Sequence, residues 1–579
     1  MNWSVDGVAG GNSTVGTISS SGLYTPPGSP GTHTVTGVNS GNASLSVSAS
    51  VAVTNLAGIY TYHNDAARTG QNLQEYALTP ASVSSGNFGK RWSCSLDGLV
   101  LAQPLYVANL SIGGGVHNVL IVATMHDSVY AFDADNGSCT PYWKVSFLSA
   151  GVTTVSSANA GCADTPLEYG VTGTPVIDPS TLTIYLVANT TENSGTSYVQ
   201  RLHALSVTTG QETSGSPVVI NASVAGTGGG GSTVTFNGLY QNQRLGLALT
   251  GGGIIIGWSS HCDNYLWPWH GWIMRYEESP LAQSAVFTDS PNGQYGGIWM
   301  SGGAPALDSS GNMFMTTGNG TFDDTSDKLP APNNDFGESY LNLNPTTLAV
   351  QDFYTPANYA TWSADDLDIS SSGVTVLPDG IGPAAHPNLL VGSDKQGHLW
   401  MIDRTNMSGC VAGEKNTVQY LTLPNNATCD TGDQQCYYAT PAYYSGTVYM
   451  AVEHGPLMAF ELTGGLFATS GSVAVASSQS AETYNYPTPT ATVSASPSGN
   501  ALVWVLDNNA NGTDNGSTAL GPAILRAYNA TNLGTTLYSS SKLSADSCGN
   551  ASKFVSPVVA NGHVYVVGAS ALTVYGLAP

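Results

Sequence analysis

The chain has 579 residues, and 38 acidic residues against 14 lysines and arginines give it a net charge of −24. Such a field repels phosphate backbones and anionic lipid, which excludes nucleic acid as a partner. No stretch approaches the ~20 apolar residues of a membrane span. Gly (68) and Pro (30) are abundant, with many Ser, Thr and Asn, the composition of many short strands joined by turns.

Residues 1–57 differ in pattern from the rest of the chain. Short apolar alternations at 2–5, 16–19, 22–25, 33–36 and 44–53 predict small strands separated by turn signals. The segment resembles the bacterial immunoglobulin-like modules of surface proteins, with the opening strands missing. The text at Met1-Asn2-Trp3 is already strand-like, so the chain reads as a fragment whose export signal has been removed. Residues 58–98 read as a lead-in. Within them, 91–96 (Arg91, Trp92, Ser93, Cys94, Ser95, Leu96) is the candidate strand for closing a ring onto the other terminus.

From 99 to 579 one pattern recurs: an apolar alternating run, a polar turn, then a second alternating run. The clearest copies are 120–133, 388–403, 447–461 and 563–576; weaker ones occupy 183–210, 252–276, 312–345 and 501–529. A proline followed by apolar residues precedes most of them, at Pro104, Pro175, Pro305, Pro441 and Pro557. The unit recurs roughly every 60–70 residues, enough for a four-stranded antiparallel sheet with loops. One such sheet cannot bury both faces, so the units must stack on one another. The expected fold is all-β: a propeller of about eight blades preceded by a small Ig-like β-sandwich module.

The eight cysteines contain no CxxC pair, which removes zinc-ribbon and covalent-haem readings. Disulfides are expected, and with them a secreted, extracellular or periplasmic location. Cys429 and Cys436 are near enough to staple one loop, and Cys94 and Cys548 are candidates to meet where the ring closes. Asn-x-Ser/Thr triplets at Asn42, Asn189, Asn221, Asn426, Asn529 and Asn550 arise readily in so Ser/Thr/Asn-rich a chain.

The middle of the ring carries the chemistry-bearing text. Gly296-Gly297-Ile298-Trp299, then Ala304-Pro305-Ala306-Leu307-Asp308 and Thr316-Thr317-Gly318-Asn319-Gly320, are followed by Tyr354-Thr355-Pro356 and by Trp362-Ser363-Ala364-Asp365-Asp366-Leu367-Asp368. Next comes Ser393-Asp394-Lys395-Gln396-Gly397, leading to Asp403-Arg404. These stretches, in this order, resemble the quinoprotein alcohol dehydrogenase family. The resemblance implies pyrroloquinoline quinone (PQQ) stacked on Trp299 and Ca²⁺ held by Asn319, with Asp263 and Asp366 as further ligands. It also implies Asp366 as the catalytic base and Lys395 as the cation at the quinone oxygen. The chain departs from the family in two places. Where an adjacent cysteine pair belongs there is only Cys162, and the acidic ligand's segment reads Ser260-His261-Cys262-Asp263.

Two other readings stand beside this one. Trp267, Trp269 and Trp272 lie within six residues, and such a group is either core or a loop that stacks on sugar rings, making a carbohydrate-binding or carbohydrate-active propeller with Asp365, Asp366 and Asp368 as its acids. Alternatively, the chain is a non-catalytic adhesion or assembly propeller whose partners are other cell-surface proteins. The ligand is a small alcohol or sugar for the dehydrogenase and a glycan for the carbohydrate propeller.

Overall fold

The computed structural model describes residues 1–162, 167–263, 269–323, 334–407, 409–410, 417–424, 437–511 and 520–578. Cys429 and Cys436 lie outside them. Among the described residues no helix is long and apolar enough to cross a membrane.

The first residues build two small sheets. In one, Asn2–Val5 pairs antiparallel with Val8–Ala9 and with Gly31–Val38, which in turn pairs with Ser46–Val53. The other joins Gly11–Asn12, Gly16–Ile18 and Tyr24–Thr25. The buried apolar residues here are few, Val5 and Ile18, and Val47 on the last strand is 61% exposed.

All eight recurring segments are antiparallel hairpins. Gly115–Thr124 pairs with Ser128–Asp133, Thr183–Glu192 with Ser197–Ser206, Gly253–Ser260 with Trp272–Glu277, and Met313–Thr316 with Tyr340–Leu343. Leu389–Ser393 pairs with His398–Asp403, Thr447–Ala451 with Gly455–Thr463, Gly499–Asp507 with Ile524–Asn529, and His563–Val567 with Ala571–Leu577. A leading strand precedes each hairpin, and a further strand completes the sheet.

Side-chain alternation explains the stacking. In Gly253–Ser260, Ile254 and Ile256 enter a core shared with the preceding sheet, while Ile255 enters one shared with the following sheet. Val119 and Ile121 likewise face one core, and Leu120 and Val122 another. A strand buried on both faces reads as an unbroken apolar run, as Ile254-Ile255-Ile256 does. These shared cores link the sheets in chain order. The last one joins residues 502–575 to Phe88, Leu96, Tyr106 and Tyr130, so the circuit closes on itself. Phe88–Ser95 supplies the outermost strand of the final sheet, pairing antiparallel with Ala571–Leu577.

Closure is covalent as well, but not through the expected pair. Cys94 is bonded to Cys139, in the loop after Ser128–Asp133, with Cα atoms 5.2 Å apart. The bridge therefore ties the closing strand sideways to the next sheet. Cys548 stays a buried thiol within 3.0 Å of the Tyr575 hydroxyl.

The lead-in forms a collar at the centre of the ring. Gly58–Ile59 pairs with the first leading strand. The carbonyls of Tyr60, Ala66, Ala67, Thr69 and Gly70 then accept N–H groups of Ile177, Leu307, Val376, Tyr443 and Val493, each in a different sheet. Asn72 Nδ2 donates to Val559 O in the last sheet. Buried Arg68 donates to Pro305 O and to Tyr62 O at 2.9 Å each. The segment thus satisfies backbone groups that the leading strands leave unpaired at the axis.

Candidate functional site

A cavity of about 230 Å³ is lined by Arg244, Cys262, Asp263, Trp299, Ser301, Asp366, Asp368, Ser371, Lys395, Tyr438, Tyr486 and Phe554. Residues from many separate sheets therefore share one space. Trp299, Asp263, Asp366 and Lys395, singled out in the sequence, all line it, and Asn319 bonds to two of them.

Each acid is delivered by a local device. Asp263 follows Gly253–Ser260, and the Ser260 hydroxyl donates to its Oδ1 at 2.8 Å. Asp366 lies just beyond the short helix Tyr359–Ala364, with a left-handed φ of 58°. Asp368 accepts the Asn319 backbone N–H at 2.7 Å, and a Cβ on Gly318 would come within 2.3 Å of its Oδ1. The glycine of the Thr-Gly-Asn text therefore makes room for this carboxylate. Lys395 sits in the turn between Leu389–Ser393 and His398–Asp403 and is ion-paired to Asp366 at 2.5 Å and to Asp368.

Several residues of the site hold unusual backbone conformations. Cys262, Asp263, Met300, Ser301 and Asp366 all hold left-handed φ values between 43° and 58°. Such conformations cost about 1–3 kcal/mol each and persist only where their surroundings over-determine them. Trp299 is held by its backbone N–H, which donates to Ser370 Oγ at 2.8 Å. A Cβ on Gly297 would approach its indole nitrogen to 2.8 Å.

The electrostatics are those of an acid excess. Burial, then the charge of Asp368, pushes the Asp263 carboxyl up to about 7. Burial, then Asp368, also raises the fully buried Glu338, whose Oε2 accepts the Ile369 N–H at 3.0 Å. Asp368 is raised by burial. For Asp366, burial is outweighed by the charge and hydrogen bond of Lys395, which hold it below the usual carboxylate range. The same carboxylates raise Lys395 despite its burial.

An oxygen-seeking cation fits here. Carboxylate oxygens of Asp263, Asp366 and Asp368 lie within 4.8 Å of one another. Asn319 is 8% exposed and its Oδ1 has no hydrogen-bond partner. Its Nδ2 donates to Asp366 Oδ1 at 2.6 Å and to Asp263 Oδ2 at 3.2 Å. Half a turn of that amide would direct the oxygen at the carboxylates, exchanging the two Nδ2 bonds for contact with a cation held between them. Three carboxylates and an amide oxygen form a hard donor set suited to Ca²⁺ or a lanthanide ion.

Another part of the lining is aromatic and basic, and no motif announced it. The Arg244 guanidinium lies over the Phe554 ring at 4.4 Å. Tyr438 and Tyr486 meet edge to face at 4.8 Å, and the Lys553 ammonium lies 4.8 Å from the Tyr486 ring centre. Glu338, Arg244 and these aromatics were not assigned roles from the sequence, and Asp368 was marked there only as one of the acids of the carbohydrate reading. Cys162, found where the family's cysteine pair belongs, is bonded to Cys262 on the cavity wall.

The tryptophan group lies elsewhere. Trp267 falls outside the described residues. Trp272 is 1% exposed and meets Phe236 in the core between two sheets, because strand alternation turns it inward with Met274 and Tyr276. Trp269 is 2% exposed and packs on Tyr295 at 5.2 Å. A ring so enclosed has no face left to stack on a sugar, so neither Trp269 nor Trp272 forms a sugar-binding platform.

No protein-family profile matches the chain, and no curated protein sequence matches it. Solved structures do. The quinohemoprotein alcohol dehydrogenase of Pseudomonas putida HK5 superposes with a TM-score of 0.57 at 14% identity, over 90% of this chain and 80% of that one. That of Comamonas testosteroni gives 0.56 at 15% identity, over 90% and 81%. A europium-containing methanol dehydrogenase gives 0.58 at 12%, over 90% and 98%. At these identities the likeness is one of fold alone: the ring of sheets is a β-propeller like those of these structures.

Proposed function

We propose that the chain is an exported, quinone-dependent oxidoreductase acting on alcohol or sugar hydroxyls, with a metal ion held at its acidic cluster. The reading takes the eight successive sheets as the blades of one propeller and residues 1–57 as an Ig-like spacer. It rests on one observation: the carboxylates of Asp263, Asp366 and Asp368 converge, with Asn319 and Lys395, in the cavity that Trp299 lines. The two disulfides among the described residues support export to an oxidising compartment.

When bound, PQQ supplies the two-electron acceptor and the cation a Lewis acid. The chain's own residues do the rest. Trp299 offers a flat apolar face for a planar ring. Arg244 and Lys395 provide the positive charge that the carboxylates of such a ligand and a developing oxyanion require. The Asp366 side chain is 54% exposed at the cavity and kept ionised by Lys395, so it takes the proton of the substrate hydroxyl. Asp263, Asn319 and Asp368 are the ligands that hold the ion.

The test is loading of the full chain with Ca²⁺ and PQQ, followed by dye reduction with a panel of alcohols and aldoses. Asp366→Asn is expected to retain quinone absorbance and to lose dye reduction by about 10²-fold or more. Absence of bound quinone absorbance in the wild-type chain would overturn the reading.

A further inference from the structure

Building on the proposed metal site, we propose that the Cys162–Cys262 disulfide is a positioning device that fixes Asp263 as a ligand, so that the site reaches full affinity only after oxidation. The two half-cystines are separated by 100 residues and have different surroundings. Cys162 is 4% exposed and packs with Leu101, Met125, Val155, Ala160 and Tyr169. The Tyr169 hydroxyl donates to the Cys162 carbonyl at 3.2 Å. Cys262 lies at the cavity, immediately before Asp263. The bond therefore runs from a packed core to the neighbour of a metal ligand.

The backbone shows why a tether is needed. Cys262 and Asp263 are consecutive left-handed residues, with φ of 57° and 45°, and neither is glycine. Ser260 fixes the Asp263 side chain, accepting its backbone N–H at 2.9 Å and donating to Oδ1. His261 abuts Tyr169 edge-on at 4.3 Å. Of these restraints only the disulfide is covalent and acts directly on residue 262. Without it, residues 262 and 263 relax toward right-handed backbone, and the Asp263 carboxylate leaves the cluster it forms with Asp366 and Asp368. Formation of the bond takes two electrons and two protons from the thiols, delivered to a disulfide-exchange oxidant of the compartment.

Terbium(III) luminescence titration of the full chain, with Ca²⁺ as competitor, reads the site without quinone or turnover. The wild-type chain is expected to bind Tb³⁺ displaceably. Cys162→Ser and Cys262→Ser should each bind about ten- to a hundredfold more weakly, with native near-ultraviolet circular dichroism. A Cys94→Ser/Cys139→Ser double variant, which lacks the other disulfide of the described residues, should keep wild-type affinity. Dithiothreitol should weaken binding in that double variant, and reoxidation should restore it, which decides the matter even where a Cys162 or Cys262 variant fails to fold. Unchanged affinity in Cys162→Ser, or in the reduced double variant, overturns the tether and leaves the metal site standing. Wild-type binding that is absent, or unchanged by Asp263→Asn, overturns the metal site and the tether together.

Discussion

The two walls of the cavity are made by opposite means. The acidic wall, with Asp263, Asn319, Asp366, Asp368 and Lys395, is a knot of charges and left-handed backbone that stands because each member restrains another. The basic wall, with Arg244, Tyr438, Tyr486 and Phe554, is assembled by ring packing and cation–π contact. The first is poised electrostatically for a cation. The second is an apolar surface carrying positive charge, matched to a flat anion. The difference teaches that charge density and shape are supplied here by separate sets of side chains and can be perturbed separately.

Lys395→Met attacks the first wall most severely. It leaves the buried Asp368 without its counter-charge, and a stability loss of about 3–5 kcal/mol is expected from urea unfolding, as for other broken buried ion pairs; the half-exposed Asp366 adds little to it. Added Ca²⁺ should restore part of it by binding the folded state. Unfolding unchanged from wild type would show that the cluster is not coupled by charge. Arg244→Met attacks the second wall. Quinone affinity, read by absorbance titration, should fall about ten- to a hundredfold, the worth of a hydrogen bond to a charged group, while Tb³⁺ affinity stays put. If both fall together, the walls are not separable.

The gentlest test uses a carboxylate that serves neither wall. Burial pushes Asp289 up to about 8, and its Oδ1 accepts the Gly271 N–H at 3.0 Å. The folded state thus keeps a proton that the unfolded chain releases near the ordinary carboxylate value. That contribution to stability is complete below the unfolded value and drains away as pH rises toward 8. Asp289→Asn keeps the acceptor and should flatten the decline in urea midpoint between pH 5 and 8. A decline as steep as wild type would assign the pH dependence to other groups.

How much of this could be read from the letters depended on whether the information was local. Hairpins such as 120–133 and 563–576 carry their own alternation and turn, so the sheets were legible. Trp299, Asn319, Asp366 and Lys395 belong to short ordered motifs, and they come together at one cavity or bond to its lining. Arg244 and Phe554 are single residues in ordinary loops, 310 positions apart, and only the ring makes them neighbours. Cysteine pairing failed for the same reason. Cys94 and Cys548 do end in one core, but Cys139 packs against that same core and is the residue bonded to Cys94. Trp272 misled because an aromatic run looks the same whether it faces a ligand or the strand behind it.

The collar has a consequence for how the molecule is made. Residues 57–72 leave the ribosome before any blade of the ring, yet their partners include Val493 and Val559, more than 400 positions downstream. The spindle is thus synthesised first and fully enclosed last, and its carbonyls must remain hydrated until the final blades arrive. Contacts of such sequence separation form slowly, so nascent or truncated chains should remain vulnerable to proteases along this stretch until the wheel has shut around its own axle.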